Sequence, residues 1–229
     1  MRVILFGATG MVGQGVLREC LLDNDVHSVL SIGRTATGQK HEKLHEIVRK
    51  DLADLTAIES ELRGYDACFF CLGVSSAGMT EADYRAVTYD LTLAVARTLV
   101  KINPGMTFIY VSGAGTDSSE KSRFMWARVK GKTENDLLKL PFKAAYMFRP
   151  AFIQPLHGIR SKTAAYQFFY TVTAPVTPLL AAALPRYVTT TERLGRAMIE
   201  AANNGAPKRV LESQDINALV GHASACPPA

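Results

Sequence analysis

Short apolar runs separated by polar, glycine-bearing turns divide the first 150 residues. Val3–Phe6 is apolar throughout and ends in Gly7, the pattern of a strand buried on both faces. Val29–Ile32, the weaker Glu46–Val48, Ala67–Leu72 (ACFFCL), Thr107–Val111 and Ala144–Phe148 repeat the type. Asn103-Pro104-Gly105 is a turn before the fifth run, and Arg149-Pro150 closes the sixth. Between the runs the apolar period lengthens. Val12, Val16 and Cys20 mark one helix face and Leu91, Val95 and Leu99 another, and a further helix over Phe124–Leu140 stops at Pro141. Strands alternating with helices predict βαβ units and a mostly parallel sheet covered on both sides. Right-handed crossovers then make it a doubly wound, Rossmann-type α/β fold. There is no internal repeat.

After Pro150 the rhythm changes. Residues 163–185 carry no charged side chain, a stretch long enough on paper to span a bilayer. Pro175 and Pro178 interrupt it, as do Gln167, Thr171, Thr173 and Thr177, with Tyr166 and Tyr170 beside them. It reads as short buried or pocket-lining helices: a small C-terminal helical lid over 154–190, inserted in one domain of 1–229. No integral membrane span is expected, and peripheral association through the lid stays open. Leu194, Ala197, Met198, Ala201 and Ala202 then trace an amphipathic helix ended by Asn203-Asn204-Gly205, Arg209–Leu211 is a last strand, and the tail 222–229 frays.

Composition narrows the function classes. The chain has 229 residues, 48% of them hydrophobic, which supplies a sizeable core and excludes a disordered chain. The formal net charge of +5 is scattered without a run of five basic residues, so no nucleic-acid footprint is expected. Four cysteines (Cys20, Cys68, Cys71 and Cys226) are too few for a disulfide scaffold. With no secretory leader at the start, they point to a reducing compartment, read here as cytoplasmic. Two motifs are decoys. His41-Glu42-Lys43-Leu44-His45 fits H-E-x-x-H but falls between strands two and three, where no long helix fits. Cys68-Phe69-Phe70-Cys71 lies on a strand, where i and i+3 face opposite ways, so these are two core cysteines.

The segment Gly7-Ala8-Thr9-Gly10-Met11-Val12-Gly13 joins the first strand to the first helix, with glycines at i, i+3 and i+6. In this context the spacing is that of a dinucleotide-binding turn. Gly7 allows the tight turn, Gly10 lets a pyrophosphate approach the backbone, and Gly13 lets helix and strand pack closely. The helix N-terminus then offers its N–H groups and positive dipole end to phosphate. The second strand ends Ser31-Ile32-Gly33-Arg34, without the acidic residue that would accept from a ribose 2′-OH. Arg34 suits a 2′-phosphate instead, so the expected cofactor is NADP(H).

These features, with Cys71-Leu72-Gly73 after strand four, Lys130 in the helix over Phe124–Leu140, Arg149-Pro150 after strand six and Tyr187-Val188-Thr189-Thr190-Thr191 before the late helix, resemble atypical or extended short-chain dehydrogenase/reductases. The resemblance runs nearly the whole chain and is strongest to the NAD(P)-binding oxidoreductases related to the Tat-interacting-protein reductase-like proteins. It implies that Gly7, Thr9, Gly10, Met11 and Val12 hold the pyrophosphate and that Arg34 reads the 2′-phosphate. By the same resemblance Asp51 and Leu52 hold the adenine, and Cys71, Leu72 and Gly73 pass under its ribose. Lys130 binds the nicotinamide ribose, and Pro150 to Ile153, with Phe152, touch the carboxamide.

The catalytic pattern departs from the family. The motif is Tyr-x-x-x-Lys on one helix face, the lysine lowering the pKa of a phenol that moves a proton. Here the stretch is Trp126-Ala127-Arg128-Val129-Lys130, and an indole N–H only donates a hydrogen bond. Ser112 is the candidate helper hydroxyl, although the best register puts Gly113 at that position; Lys130 and Ser112 are the catalytic candidates. Tyr84, Tyr89 and Tyr166 are candidate replacements for the missing acid, and His157 lies near the expected pocket. Trp126, on the Lys130 face, is expected to line the nicotinamide end. Two readings follow: an oxidoreductase or epimerase-like enzyme acting on a small apolar carbonyl compound, or a catalytically silent NADP(H)-binding sensor or scaffold.

Overall fold

The structure is a computed structural model that describes residues 1–159 and 186–223. Seven strands form one sheet: β1 (Arg2–Phe6), β2 (Ser28–Gly33), β3 (Leu44–Val48), β4 (Ala67–Phe70), β5 (Thr107–Val111), β6 (Ala144–Arg149) and β9 (Val210–Glu212). Their order is β3-β2-β1-β4-β5-β6-β9, and every neighbouring pair is parallel. Val3 pairs with Val29 on one side and Ala67 on the other, so the strand order reverses at β1. A doubly wound sheet opens a crevice for ligand at that switch point, beyond the carboxyl ends of the strands.

The strands are apolar because both of their faces are covered. Val3 and Leu5 of β1, Ala67 and Phe69 of β4, and Tyr146 and Phe148 of β6 enter one core layer. Ile4 and Phe6, Cys68 and Phe70, and Ala145 and Met147 enter the other, as the two-residue period requires. The first layer is closed by α1 (Met11–Leu22), α5 (Thr191–Asn203) and α6 (Ser213–Ala223), through Val16, Leu17, Leu194, Met198 and Ile216. The second is closed by α3 (Leu91–Ile102) and α4 (Met125–Leu137), through Leu93, Val95, Leu99 and Leu137. Phe70 anchors an aromatic row there, with ring centroids 5.4 Å from Phe6 and 6.0 Å from Phe108.

Six elements were not expected from the pattern. A 3-10 turn, Thr56–Leu62, buries Ile58 and Leu62. A short helix, α2 (Glu81–Arg85), runs through a π-helical turn (Ala86–Asp90) into α3. Strands β7 (Phe152–Gln154) and β8 (Val188–Thr190) pair in parallel as a separate two-stranded sheet. Helix α6 occupies residues that were expected to lead into a frayed tail. The chain leaving β7 is pinned to α5: Leu156 N donates to Thr191 Oγ1 at 3.1 Å, and His157 Nε2 lies 2.8 Å from Glu192 Oε2. The lid expected over 154–190 falls largely outside the described residues, as does Tyr166. Among the described residues no helix is long and apolar enough to cross a membrane.

Candidate cofactor site

The β1–α1 turn has the geometry that the glycine spacing implies. Gly7 has φ +85°, and a Cβ there would stand 2.7 Å from the Cys71 carbonyl, so both conformation and space demand glycine. A Cβ on Gly13 would stand 2.0 Å from Gly7 O, which sets how closely α1 approaches the strand. Gly10 is open on its outer side and borders a cleft. It begins α1 without a side-chain cap, and no acidic residue lies in the first turn. Gly10 N–H is spent on Gly7 O at 2.9 Å, and the uncapped N–H groups that follow it in the first turn of α1 are left for an anionic ligand.

Three adjoining hollows run along the carboxyl edge of the sheet from this turn, and Leu72 borders all three. One, of about 390 Å³, has Gly7, Thr9 and Arg34 on its walls. A second, of about 330 Å³, is walled by Arg34, Asp51, Leu52, Gly73 and Val87. The largest, of about 650 Å³, has Gly10, Met11, Val12, Cys71, Lys130, Pro150 and Ile153 around it. Nearly every residue singled out in the sequence therefore meets in one groove. Phe152 does not: Ala151 and Ile153 face the hollow, and the alternation of β7 turns Phe152 away. Arg34 has no carboxylate partner among the described residues. Asp51 turns an oxygen back to accept from Ala53 N at 2.8 Å, fixing the loop under the second hollow. Val87, on the π-helical turn, completes that wall and was not foreseen.

The opposite end holds the ionisable chemistry. Helix α4 is brought against the loop after β5, where a Cβ on Gly131 would meet Asp117 O at 1.8 Å. That seating carries Lys130 to the carboxyl end of β5, where its Nζ donates to the Ser112 carbonyl. Burial lowers the Lys130 pKa to about 8, with Glu134 pulling it slightly back up. The Ser112 hydroxyl donates to Glu134, a fully buried carboxylate that also holds Arg149. Arg149 Nε lies 3.1 Å from both carboxylate oxygens, and its Nη2 reaches Ser118 Oγ at 2.6 Å. The Ser112 hydroxyl is thus committed to this network, which sequence reasoning missed.

Trp126 is also displaced from its expected place. Its ring packs on Gly115, with Cη2 3.1 Å from where a Cβ would stand, and it does not border the described cleft. Of the tyrosines, Tyr84 is buried in the core, and Tyr89 donates to Asp136 at 2.7 Å with Arg85 over its ring. His157 is spent on Glu192. His41 lies in the turn before β3 and His45 on the strand itself, with no helix to present them together. Cys68 belongs to one core layer and Cys71 packs against the other.

A family model described as NAD(P)H-binding matches residues 7–139, more than half of the chain. The chain belongs to this NAD(P)H-binding family. The match includes the glycine turn, Arg34, Cys71-Leu72-Gly73 and Lys130. It is 30% identical over 152 residues to "Protein FMP52-2, mitochondrial" of Scheffersomyces stipitis, covering 65% of each chain. It is 29% identical over 150 residues to "Protein HTATIP2" of Rattus norvegicus, covering 65% of this chain and 61% of that one. The matched stretch thus spans less than two thirds of the length of these curated relatives. The solved structure of the Bordetella bronchiseptica enzyme WbmF in complex with NAD+ overlays at a TM-score of 0.66. It is 14% identical and covers 100% of this chain and 79% of that one, a likeness of fold. Membership of the NAD(P)H-binding family makes the cofactor a nicotinamide dinucleotide. The cytoplasmic placement expected from the cysteines does not stand, because the FMP52 relatives are named as mitochondrial proteins. Free thiols persist in any reducing compartment, so cysteine use never singled out the cytosol.

Proposed function

We propose that this protein is an NADP(H)-dependent oxidoreductase acting on a small, apolar carbonyl compound. The observation that carries the reading is the continuous groove with a free arginine, Arg34, at one end and a buried lysine, Lys130, at the other. In this reading Gly7, Thr9, Gly10, Met11 and Val12 seat the pyrophosphate on the α1 N-terminus. Arg34 forks onto the 2′-phosphate. Asp51 and Leu52 bound the adenine, and Cys71, Leu72 and Gly73 underlie its ribose. Lys130 holds the nicotinamide ribose, and Pro150 and Ile153 flank the carboxamide. Ser112 acts through its carbonyl, which orients the lysine, rather than through its hydroxyl. Bound there, the reduced cofactor supplies hydride to a carbonyl carbon.

A second reading keeps the dinucleotide and drops the chemistry: a silent binder that signals its cofactor state to a partner. Trp126 in the tyrosine position favours it. Titrations followed by nicotinamide fluorescence, together with NADPH oxidation against a carbonyl panel, separate the readings. Tighter binding of NADPH than NADH is expected, with Arg34→Ala weakening NADPH alone by about 10- to 100-fold, the loss of one charge-assisted contact of about 1.5–3 kcal/mol. Equal affinities in the wild type would overturn the NADP(H) assignment. NADPH binding without oxidation by any carbonyl would overturn the enzyme reading.

A further inference from the structure

The oxidoreductase reading leaves open which group gives the substrate its proton, and the cleft itself narrows the choice. Among the described residues bordering its largest hollow, the titratable side chains are Cys71 and Lys130. Burial holds the Cys71 thiol far above its ordinary range, so it gives up no proton near neutrality. The Ser112 hydroxyl is committed to Glu134, and Glu134 is fully buried and committed to Arg149. Tyr84 is buried, the half-buried Tyr89 is committed to Asp136, and Trp126 leans on Gly115.

We propose that Lys130 is the proton donor of this site, its Nζ serving the substrate oxygen in place of the phenol that Trp126 replaces. The inference rests on the carbonyl-reducing reading above. The carbonyl carbon gains a hydride from the reduced cofactor, and the C=O π pair moves onto oxygen. That oxygen takes a proton from Lys130 Nζ: one N–H bond breaks and one O–H bond forms. The product is an alcohol, the nicotinamide is left oxidised, and the neutral amine regains its proton from water. The surroundings suit the role. Lys130 hydrogen-bonds a neutral carbonyl rather than a carboxylate, and the nearby Glu134 carboxylate is paired with Arg149. A lysine so placed is not locked in its charged form, and its pKa of about 8 puts both protonation states within reach at neutral pH.

The test uses the full chain in two measurements. The first follows the side-chain 15N resonances of lysine-labelled protein against pH, with the Lys130 signal identified by its absence in Lys130→Arg. Titration at about pH 8 is expected; titration with ordinary lysines near about 10.4 overturns the proposal. The second measures single-turnover NADPH oxidation by 9,10-phenanthrenequinone, a small apolar dicarbonyl. The wild-type rate should fall about tenfold per pH unit above about 8, as loss of one acid requires. At saturating NADPH, Lys130→Arg should react at least about 10²-fold more slowly than wild type, without that limb. Tyr166→Phe and Tyr170→Phe should each keep the rate and the limb; loss in either, with Lys130→Arg active, overturns the proposal. A wild-type rate flat across this range overturns the Lys130 assignment alone. A wild type that binds NADPH but reduces neither the quinone nor any of the panel overturns the oxidoreductase reading, and this inference with it.

Discussion

Replacing Glu134 with glutamine removes one buried charge and almost no volume, which isolates the electrostatic part of the network beneath Lys130. Glu134 is fully buried and Arg149 nearly so. In the wild type the carboxylate accepts from Arg149 Nε at 3.1 Å on both oxygens, from Arg149 Nη2, and from the Ser112 hydroxyl. A glutamine has one oxygen for these donors, and its amide must find acceptors of its own. Ser112 can supply one by turning its proton fully onto Phe148 O, already 3.2 Å away. Arg149 then keeps only neutral acceptors, the glutamine oxygen and Ser118 Oγ, with Glu212 at 3.7 Å as its remaining counter-charge. A hydrogen bond to a charged group contributes about 1.5–3 kcal/mol, and removing one partner of a buried pair costs about 3–5 kcal/mol. Glutamine preserves part of the geometry, so Glu134→Gln should lose about 2–3 kcal/mol and Glu134→Ala more. Urea unfolding followed by the fluorescence of Trp126, the chain's one tryptophan, measures this. Glu134→Leu combined with Arg149→Met should recover most of what Glu134→Leu loses alone, because an apolar pair leaves no orphaned charge. Stability of Glu134→Gln within about 0.5 kcal/mol of wild type, or a double variant whose loss equals the sum of its singles, would refute the reasoning. Because Glu134 raises the Lys130 pKa, Glu134→Gln should also move the lysine titration further below about 8.

The glycine turn makes a sharper demand. Gly13→Ala places a methyl 2.0 Å from Gly7 O, so α1 must shift; a loss of about 1–3 kcal/mol in stability and of most dinucleotide affinity is expected, and unchanged fluorescence titrations would contradict it. Alkaline pH tests the buried thiols against Lys130. Burial raises Cys20, Cys68 and Cys71 above the ordinary 9.0, so the unfolded chain releases those protons first and stability falls as pH rises past 9.0. Lys130, at about 8 folded against 10.5 unfolded, holds its proton better in the unfolded chain, so its contribution rises over that interval. Urea midpoints should therefore change little between about pH 8 and 8.5 and then fall, three thiols outweighing one lysine. Lys130→Met should make the fall begin earlier and Cys68→Ala should soften it; a monotonic rise to pH 10 would be inconsistent with both.

The parts of this fold that speak through period or backbone chemistry were legible. Seven apolar runs became the seven sheet strands, and Gly7 and Gly13 each meet the steric constraint that their spacing implied. Arg34, Asp51 and Leu52 arrive at one hollow because parallel strands all end on the same side. What was missed lacks such a signature. Strands β7 and β8 have three residues each, too short for any period to register. The π-helical turn that brings Val87 to the groove is one inserted residue in an otherwise helical run. Glu134 and Arg149 are charged, so a hydropathy reading sends them to the surface; the available signal was an arginine closing a wholly apolar strand. Trp126 was placed by its helix face alone, while its ring is set by the gap beside Gly115, contributed by a loop that no local pattern describes. Phe152 was carried over within a continuous segment, and strand alternation, invisible without the β7–β8 pairing, turned it away.

The central claim is that one dinucleotide lies along the groove with its adenosine phosphate at Arg34 and its nicotinamide ribose at Lys130. A crystal structure of the protein with NADPH tests it most directly. The claim predicts 2′-phosphate oxygens at hydrogen-bond distance, roughly 2.9 Å, from the Arg34 guanidinium, the pyrophosphate over Gly10 at the α1 N-terminus, and a nicotinamide ribose hydroxyl within the same reach of Lys130 Nζ. Density for the cofactor in the reverse direction, or with its 2′-phosphate in solvent away from Arg34, would contradict it.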